Sequence, residues 1–181
     1  MQIKDFSKIY FSILLLHLVT IYKLETDALH AVSKVLLLPS LAIFFWQHPR
    51  KHAIGHSQLI LAALVFSSMG DILLLNESQN QFFLSGMAAF ALAQICYTAI
   101  HFKLQSQARP GVFAASLVAS VALGYWVLSF LSLPTQLFYY VWGYASLLLL
   151  HFTLALYNTV KGKVNAWLFL GVGLFVLSDL L

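Results

Sequence analysis

Apolar residues run along this chain in long blocks separated by short polar clusters, at about 9–22, 32–46, 59–75, 82–102, 112–131, 137–157 and 166–181. Blocks of this length without period-two alternation predict helices rather than strands, and most are close to the roughly 20 residues that cross a bilayer core. Seven membrane spans are therefore expected, the first two short enough to draw on their flanking residues. The expected class is all-α, a polytopic transmembrane helical bundle, with residues 1–181 forming a single integral-membrane domain.

Composition strengthens this picture: 61% of the 181 residues are hydrophobic, 9% are charged and the mean hydropathy is +0.85. Such a chain has too little polar surface for a water-soluble globule, which excludes most soluble enzyme folds. The net charge of +4 arises from ten Lys and Arg dispersed singly between apolar runs, so no nucleic-acid surface is expected. Cys96 is the only cysteine, which removes disulfides and cysteine metal sites. The basic residues instead mark sidedness. Lys4, Lys8, Arg50, Lys51, Lys103, Arg109, Lys161 and Lys163 fall on one side of the alternating helices, and Lys23 and Lys34 on the other, which places the N-terminus in the cytoplasm. For a bacterial chain the expected location is the inner membrane. The 28–31 segment lacks a small residue at the −3 position for signal cleavage, so an uncleaved first helix is expected. Trp46 and Trp167 fall where an aromatic belt would lie.

Four of the six acids sit in tails or loops, which leaves Asp71 in the third run and Asp179 in the seventh. An acid in hydrocarbon costs on the order of 3 kcal/mol and therefore faces a cavity or a partner. Counted from the basic side, each lies about 12 or 13 residues into its run, roughly 18–20 Å deep. Two carboxyl groups at one depth in a low-dielectric pocket do not readily both ionise, which suits an acid and base pair for hydrolysis. Two packing devices, or the proton relay of a coupled transporter, are the other readings of such a pair.

Polar faces support a hydrated interior. Gly86, Phe90, Gln94, Tyr97 and His101 recur at helical spacing in the fourth run, and Tyr140, Tyr144, Leu147, His151 and Asn158 in the sixth. For any single member, interhelical hydrogen bonding with a close-packing glycine is the better account; it is as sets that the faces suggest a polar interior. Lys34 has a stem long enough to reach the interface or to bind a lipid phosphate. His48, His52 and His56 have ligand-like spacing, yet Pro49 and Gly55 interrupt them in a basic loop, so neither a metal nor a cofactor is expected. A serine nucleophile elbow and a zinc hydrolase motif are both absent from the sequence.

Four segments stand out: Lys34 to Pro39 (KVLLLP), Phe66 to Asp71 (FSSMGD), Gly86 to Tyr97 with its Gly-x-x-x-Phe face, and Gly173 to Asp179 ending in Ser-Asp. In these the chain resembles the YhhN-type lysoplasmalogenase family of membrane proteins. The resemblance spans nearly the whole chain. It implies cleavage of the vinyl ether bond of a lysoplasmalogen to a fatty aldehyde and glycerophosphoethanolamine or glycerophosphocholine, with Asp71 and Asp179 as the catalytic residues. The expected partners are then a lysophospholipid substrate and the bilayer. Lys34 would hold the phosphate, and Gln94, Tyr97, Tyr140 and Tyr144 would orient water or the glycerol hydroxyl. Gln94 stands where many members carry histidine. The resemblance also implies an eighth helix, so the chain is expected to be shortened after Leu181. Half of an intramembrane aspartyl protease motif is present at Met69-Gly70-Asp71, but Ser178 precedes Asp179 where that chemistry uses tyrosine.

Overall fold

The computed structural model describes residues 3–23, 27–47, 54–76, 80–104, 110–130 and 134–180. Among them are seven helices and no strand: α1 Ile3–Lys23, α2 Asp27–Gln47, α3 Ile54–Leu74, α4 Asn80–Lys103, α5 Pro110–Leu128, α6 Thr135–Val160 and α7 Ala166–Leu180. Four segments are long and apolar enough to cross a membrane, His56–Leu74, Asn80–Lys103, Pro110–Leu128 and Leu137–Val160, while Ala31–Gln47 and Ala166–Val176 are shorter apolar helices. Most helices begin before their apolar runs: α1 six residues before position 9, and α2 and α3 five residues before positions 32 and 59. Polar collars stay helical because the intrahelical ladder satisfies backbone groups next to hydrocarbon.

Burial is inverted relative to a soluble protein. Gln94, His151, Asn158, Ser67, Ser33 and Thr20 are buried, while Phe11, Val118, Leu174 and Trp167 are each more than half exposed. Lipid makes that inversion favourable: apolar side chains need no shelter, and polar ones need partners inside.

Packing divides the chain into two compact units, Met1–Ala93 and Gln94–Leu181, with the boundary inside α4. In the first unit α1 and α2 run antiparallel in a constant register, with Phe6 stacked on Phe44 at 3.8 Å between ring centroids and His17 Nδ1 hydrogen-bonded to Ser33 Oγ at 2.9 Å. The α3 and α4 helices also approach closely. A Cβ placed on Gly70 would lie 2.6 Å from the Phe90 ring, and one on Gly86 would lie 2.9 Å from Leu74 and 3.3 Å from the Gly70 carbonyl oxygen. Only hydrogen fits at both positions, which is the small-residue route to tight helix packing in a membrane.

In the second unit α5 presents Ser116, Ser120, Gly124 and Leu128 as one buried stripe. Across it, Trp142 Nε1 on α6 donates to the Val121 carbonyl at 3.0 Å, and a Cβ on Gly124 would meet Ser146 Oγ at 3.1 Å. The α6 helix ends in a Schellman turn. Gly162 has φ +68°, its N–H donates to the Thr159 carbonyl at 2.9 Å, and the Lys163 N–H donates to the Asn158 carbonyl at 2.8 Å. Asn165 Oδ1 then accepts from the Trp167 N–H at 2.9 Å, capping the start of α7.

Candidate functional site

Asp71 follows the glycine that brings α3 against α4, so its place is fixed by close packing on the preceding residue. Its carboxylate is largely shielded, with a side-chain exposure of 15%, and Lys34 Nζ of α2 stands 3.9 Å from Oδ1. Lys34 is more open, at 33%. This ion pair joins two residues to which the sequence reading gave separate tasks. An ammonium beside a shielded carboxylate offsets the cost of placing either among apolar helices, while the longer reach of lysine keeps it in contact with the surface. One turn before Asp71, the buried Ser67 Oγ has no hydrogen-bond partner among the described residues. Ser67 was not picked out from sequence, because a serine in an apolar run usually closes onto its own helix. Its neighbour Ser68 does so, donating to the Leu64 carbonyl at 2.7 Å.

Asp71 lies 17 residues after the first residue of α3 and three before the last, whereas Asp179 lies 13 after the first of α7 and one before the last. The equal counts read from the apolar runs therefore do not carry over to the helices. Asp179 belongs to α7, and its side chain lies outside the described residues.

The second unit holds a buried polar seam between the later half of α4 and α6. His151 Nδ1 donates to Gln94 Oε1 at 2.8 Å. Asn158 Nδ2 donates to the His101 carbonyl at 2.9 Å and lies 3.3 Å from His101 Nδ1. Tyr97 stacks on the His151 ring at 5.3 Å between centroids, and the His101 and His151 rings are 5.1 Å apart. Both amide–imidazole pairs are 57 residues apart in sequence, and the second lies seven residues beyond the first on each helix. A seven-residue step returns to the same face, so one straight seam carries both pairs. The expected polar faces meet here through Gln94, Tyr97, His101, His151 and Asn158. Tyr144 is half-buried, whereas Tyr140 is 59% exposed and is not among the residues the seam buries.

The sequence reading also missed Thr98, which lies on the seam face of α4 one turn after Gln94. Thr98 Oγ1 and Gln94 Nε2 are buried without a hydrogen-bond partner. No group of three His, Cys, Asp or Glu able to hold a metal occurs among the described residues. Of the loop histidines only His56 is described; His48 and His52 lie outside the described residues.

No curated protein and no solved structure matches the chain. The family model of the YhhN family, however, matches residues 29–181, a stretch that includes Lys34, Asp71, both seam helices and α7. A chain whose described residues are all helical outside turns, with four apolar helices long enough to cross a membrane, is thus a multi-pass membrane protein that belongs to the YhhN family.

Proposed function

We propose that this chain is a membrane hydrolase that cleaves the vinyl ether bond of lysoplasmalogens, giving a fatty aldehyde and glycerophosphoethanolamine or glycerophosphocholine. The observation that carries the reading is the shielded Asp71 carboxylate 3.9 Å from the Lys34 ammonium, in a chain of this family. Protonation of the alkene carbon β to the ether oxygen gives an oxocarbenium ion. Water adds to that ion and loses a proton, and the resulting hemiacetal collapses to aldehyde and glycerol hydroxyl. One water is consumed, and the proton delivered in the first step is returned. Two carboxyl groups suit this sequence, one as proton donor and one as the base that stabilises the cation and activates water, a division of labour parallel to glycoside cleavage. Asp71 and Asp179 are assigned these roles. Lys34 is assigned the substrate phosphate, and Gln94, Tyr97, Tyr140 and Tyr144 the orientation of water or the glycerol hydroxyl.

In this reading seven helices span the bilayer with the N-terminus in the cytoplasm, as the distribution of Lys and Arg favours. A bacterial chain would reside in the inner membrane. The lipid reaches the site sideways from the bilayer, keeping its alkenyl chain in apolar surroundings.

The deciding measurement is aldehyde release by purified protein from alkenyl and alkyl lysolipids side by side. Only the alkenyl lipid should react, and Asp71→Asn and Asp179→Asn should each abolish turnover. Full activity in both variants would discard the mechanism. Solute flux into liposomes without aldehyde formation would favour the proton-coupled transporter that paired acids also suit.

A further inference from the structure

Lys34 has one ammonium and two anions to serve. Its Nζ stands 3.9 Å from Asp71 Oδ1, yet the proposed reaction also gives it the substrate phosphate. The proton donor of that reaction has to be a neutral carboxyl group, whereas a cation beside Asp71 favours the ionised form. The pair as it stands therefore keeps Asp71 from protonating an alkene.

The geometry lets the lysine leave. A separation of 3.9 Å exceeds the roughly 2.7–2.9 Å of a charge-assisted hydrogen bond, so the contact is an attraction between charges without a directed bond. Lys34 is also the more open partner and sits on a flexible stem. The backbones on both sides are anchored one residue earlier, Ser33 Oγ by its hydrogen bond with His17 Nδ1 at 2.9 Å and Gly70 by its close fit to Phe90. An exchange of partners thus needs only the lysine side chain to move. Of the helices next to α3, α2 contributes Lys34, and the part of α4 in the same unit, 80–93, has no ionisable side chain. The side chains of Asp27 and His30, earlier on α2, lie outside the described residues. On α3 itself the other ionisable residue is His56, 15 positions before Asp71.

We propose that the phosphate of a bound lysophospholipid draws Lys34 away from Asp71, and that Asp71 then takes a proton from solvent and becomes the acid of the reaction. This rests on the reading of the chain as a lysolipid hydrolase and divides its two carboxyl roles, with Asp71 the donor and Asp179 the base. Lys34 keeps its charge and exchanges one anion for another. The complex gains one proton, which Asp71 passes to the alkene carbon.

Proton linkage tests the exchange without turnover. The full chain, in a sugar-headed detergent that offers no phosphate, is titrated with a saturated 1-alkyl glycerophosphocholine. Calorimetry in buffers of different ionisation enthalpy counts the protons taken up. Uptake should approach one proton per lipid at its maximum over about pH 5–8, and affinity should fall there as pH rises, by at most about tenfold per pH unit. The 1-alkylglycerol of equal chain length should bind without uptake, and so should the phospholipid with Asp71→Asn. Phospholipid binding without uptake at every pH overturns the proposal, as do equal uptake with the alkylglycerol, uptake that persists in Asp71→Asn, and absence of binding. Glycerophosphocholine, which has no chain, should act only at far higher concentration; an affinity equal to that of the lipid assigns the trigger to a soluble phosphate ester and overturns the proposal too. Failure of the hydrolase reading is seen separately, as absence of aldehyde from the alkenyl lipid while proton uptake is intact.

Discussion

His151 Nδ1 donates to Gln94 Oε1 at 2.8 Å, and seven residues further along both helices the pairing recurs with its chemistry exchanged, the imidazole now on α4 at His101 and the amide on α6 at Asn158. Each pair gives a buried polar group its partner, and together they fix the register of two helices that run in the same direction. A slip of one residue would bury all four polar side chains against apolar neighbours.

The coupling between Gln94 and His151 is measurable. Gln94→Leu and His151→Leu each leave the other group without this bond, so each variant should lose stability. The double variant should be more stable than the sum of the two losses by about 1 kcal/mol, near the upper range for polar pairs in membranes. Unfolding in mixed micelles of the four proteins checks it.

The Lys34–Asp71 pair separates stability from activity. Lys34→Met should destabilise the protein by about 1–3 kcal/mol, between exposed and buried ion pairs, because it removes the ammonium beside a shielded carboxylate. Adding Asp71→Asn should restore most of that loss in thermal unfolding. Aldehyde release should remain absent in the double variant.

Gly70→Ala places a methyl group 2.6 Å from the Phe90 ring. Either α3 and α4 move apart or the ring shifts, at a cost of about 1–3 kcal/mol. Phe90→Leu in the same chain should recover part of it. Equal melting temperatures for wild type and Gly70→Ala would disprove the close contact.

Gly162→Ala tests the turn after α6. At φ +68° an L side chain costs about 1–2 kcal/mol, and the glycine has open space around it, so backbone strain is the whole effect. The midpoint of thermal unfolding should fall, and Gly162→Asn should fall less, since asparagine tolerates this conformation.

Much of the architecture was legible because a bilayer simplifies the code. Long apolar runs announced the helices, and helical spacing placed Gln94, Tyr97 and His101 on one face and His151 and Asn158 on another. Pairings between helices were not legible. Lys34 and Asp71 are 37 residues apart in sequence, and neither residue carries a mark of the other, so phosphate binding and acid chemistry were assigned to them separately. The start of α3 at Ile54 was not legible, since the helix begins before its apolar run, so counts that are equal along the runs are unequal along the helices. Hydroxyls gave no warning either. Thr98 and Thr153 look alike in an apolar run, and only the path of each side chain separates the one that donates to its own helix from the one that does not. The boundary between the two units falls within α4, where composition shows no break.

The turn at Gly162 shares a residue with the seam. The Asn158 carbonyl receives the N–H groups of Lys163 and Val164 at 2.8 and 3.2 Å, while its side chain holds His101. Disturbing Asn158 therefore loosens a surface connection and a buried contact together, making them one cooperative opening unit. In hydrogen exchange, the Lys163 and Val164 amides should be slower than their neighbours in the turn and should lose that protection along with the C-terminal end of α6. A substitution in this short connection would then be felt among the histidines, through the backbone and side chain of Asn158.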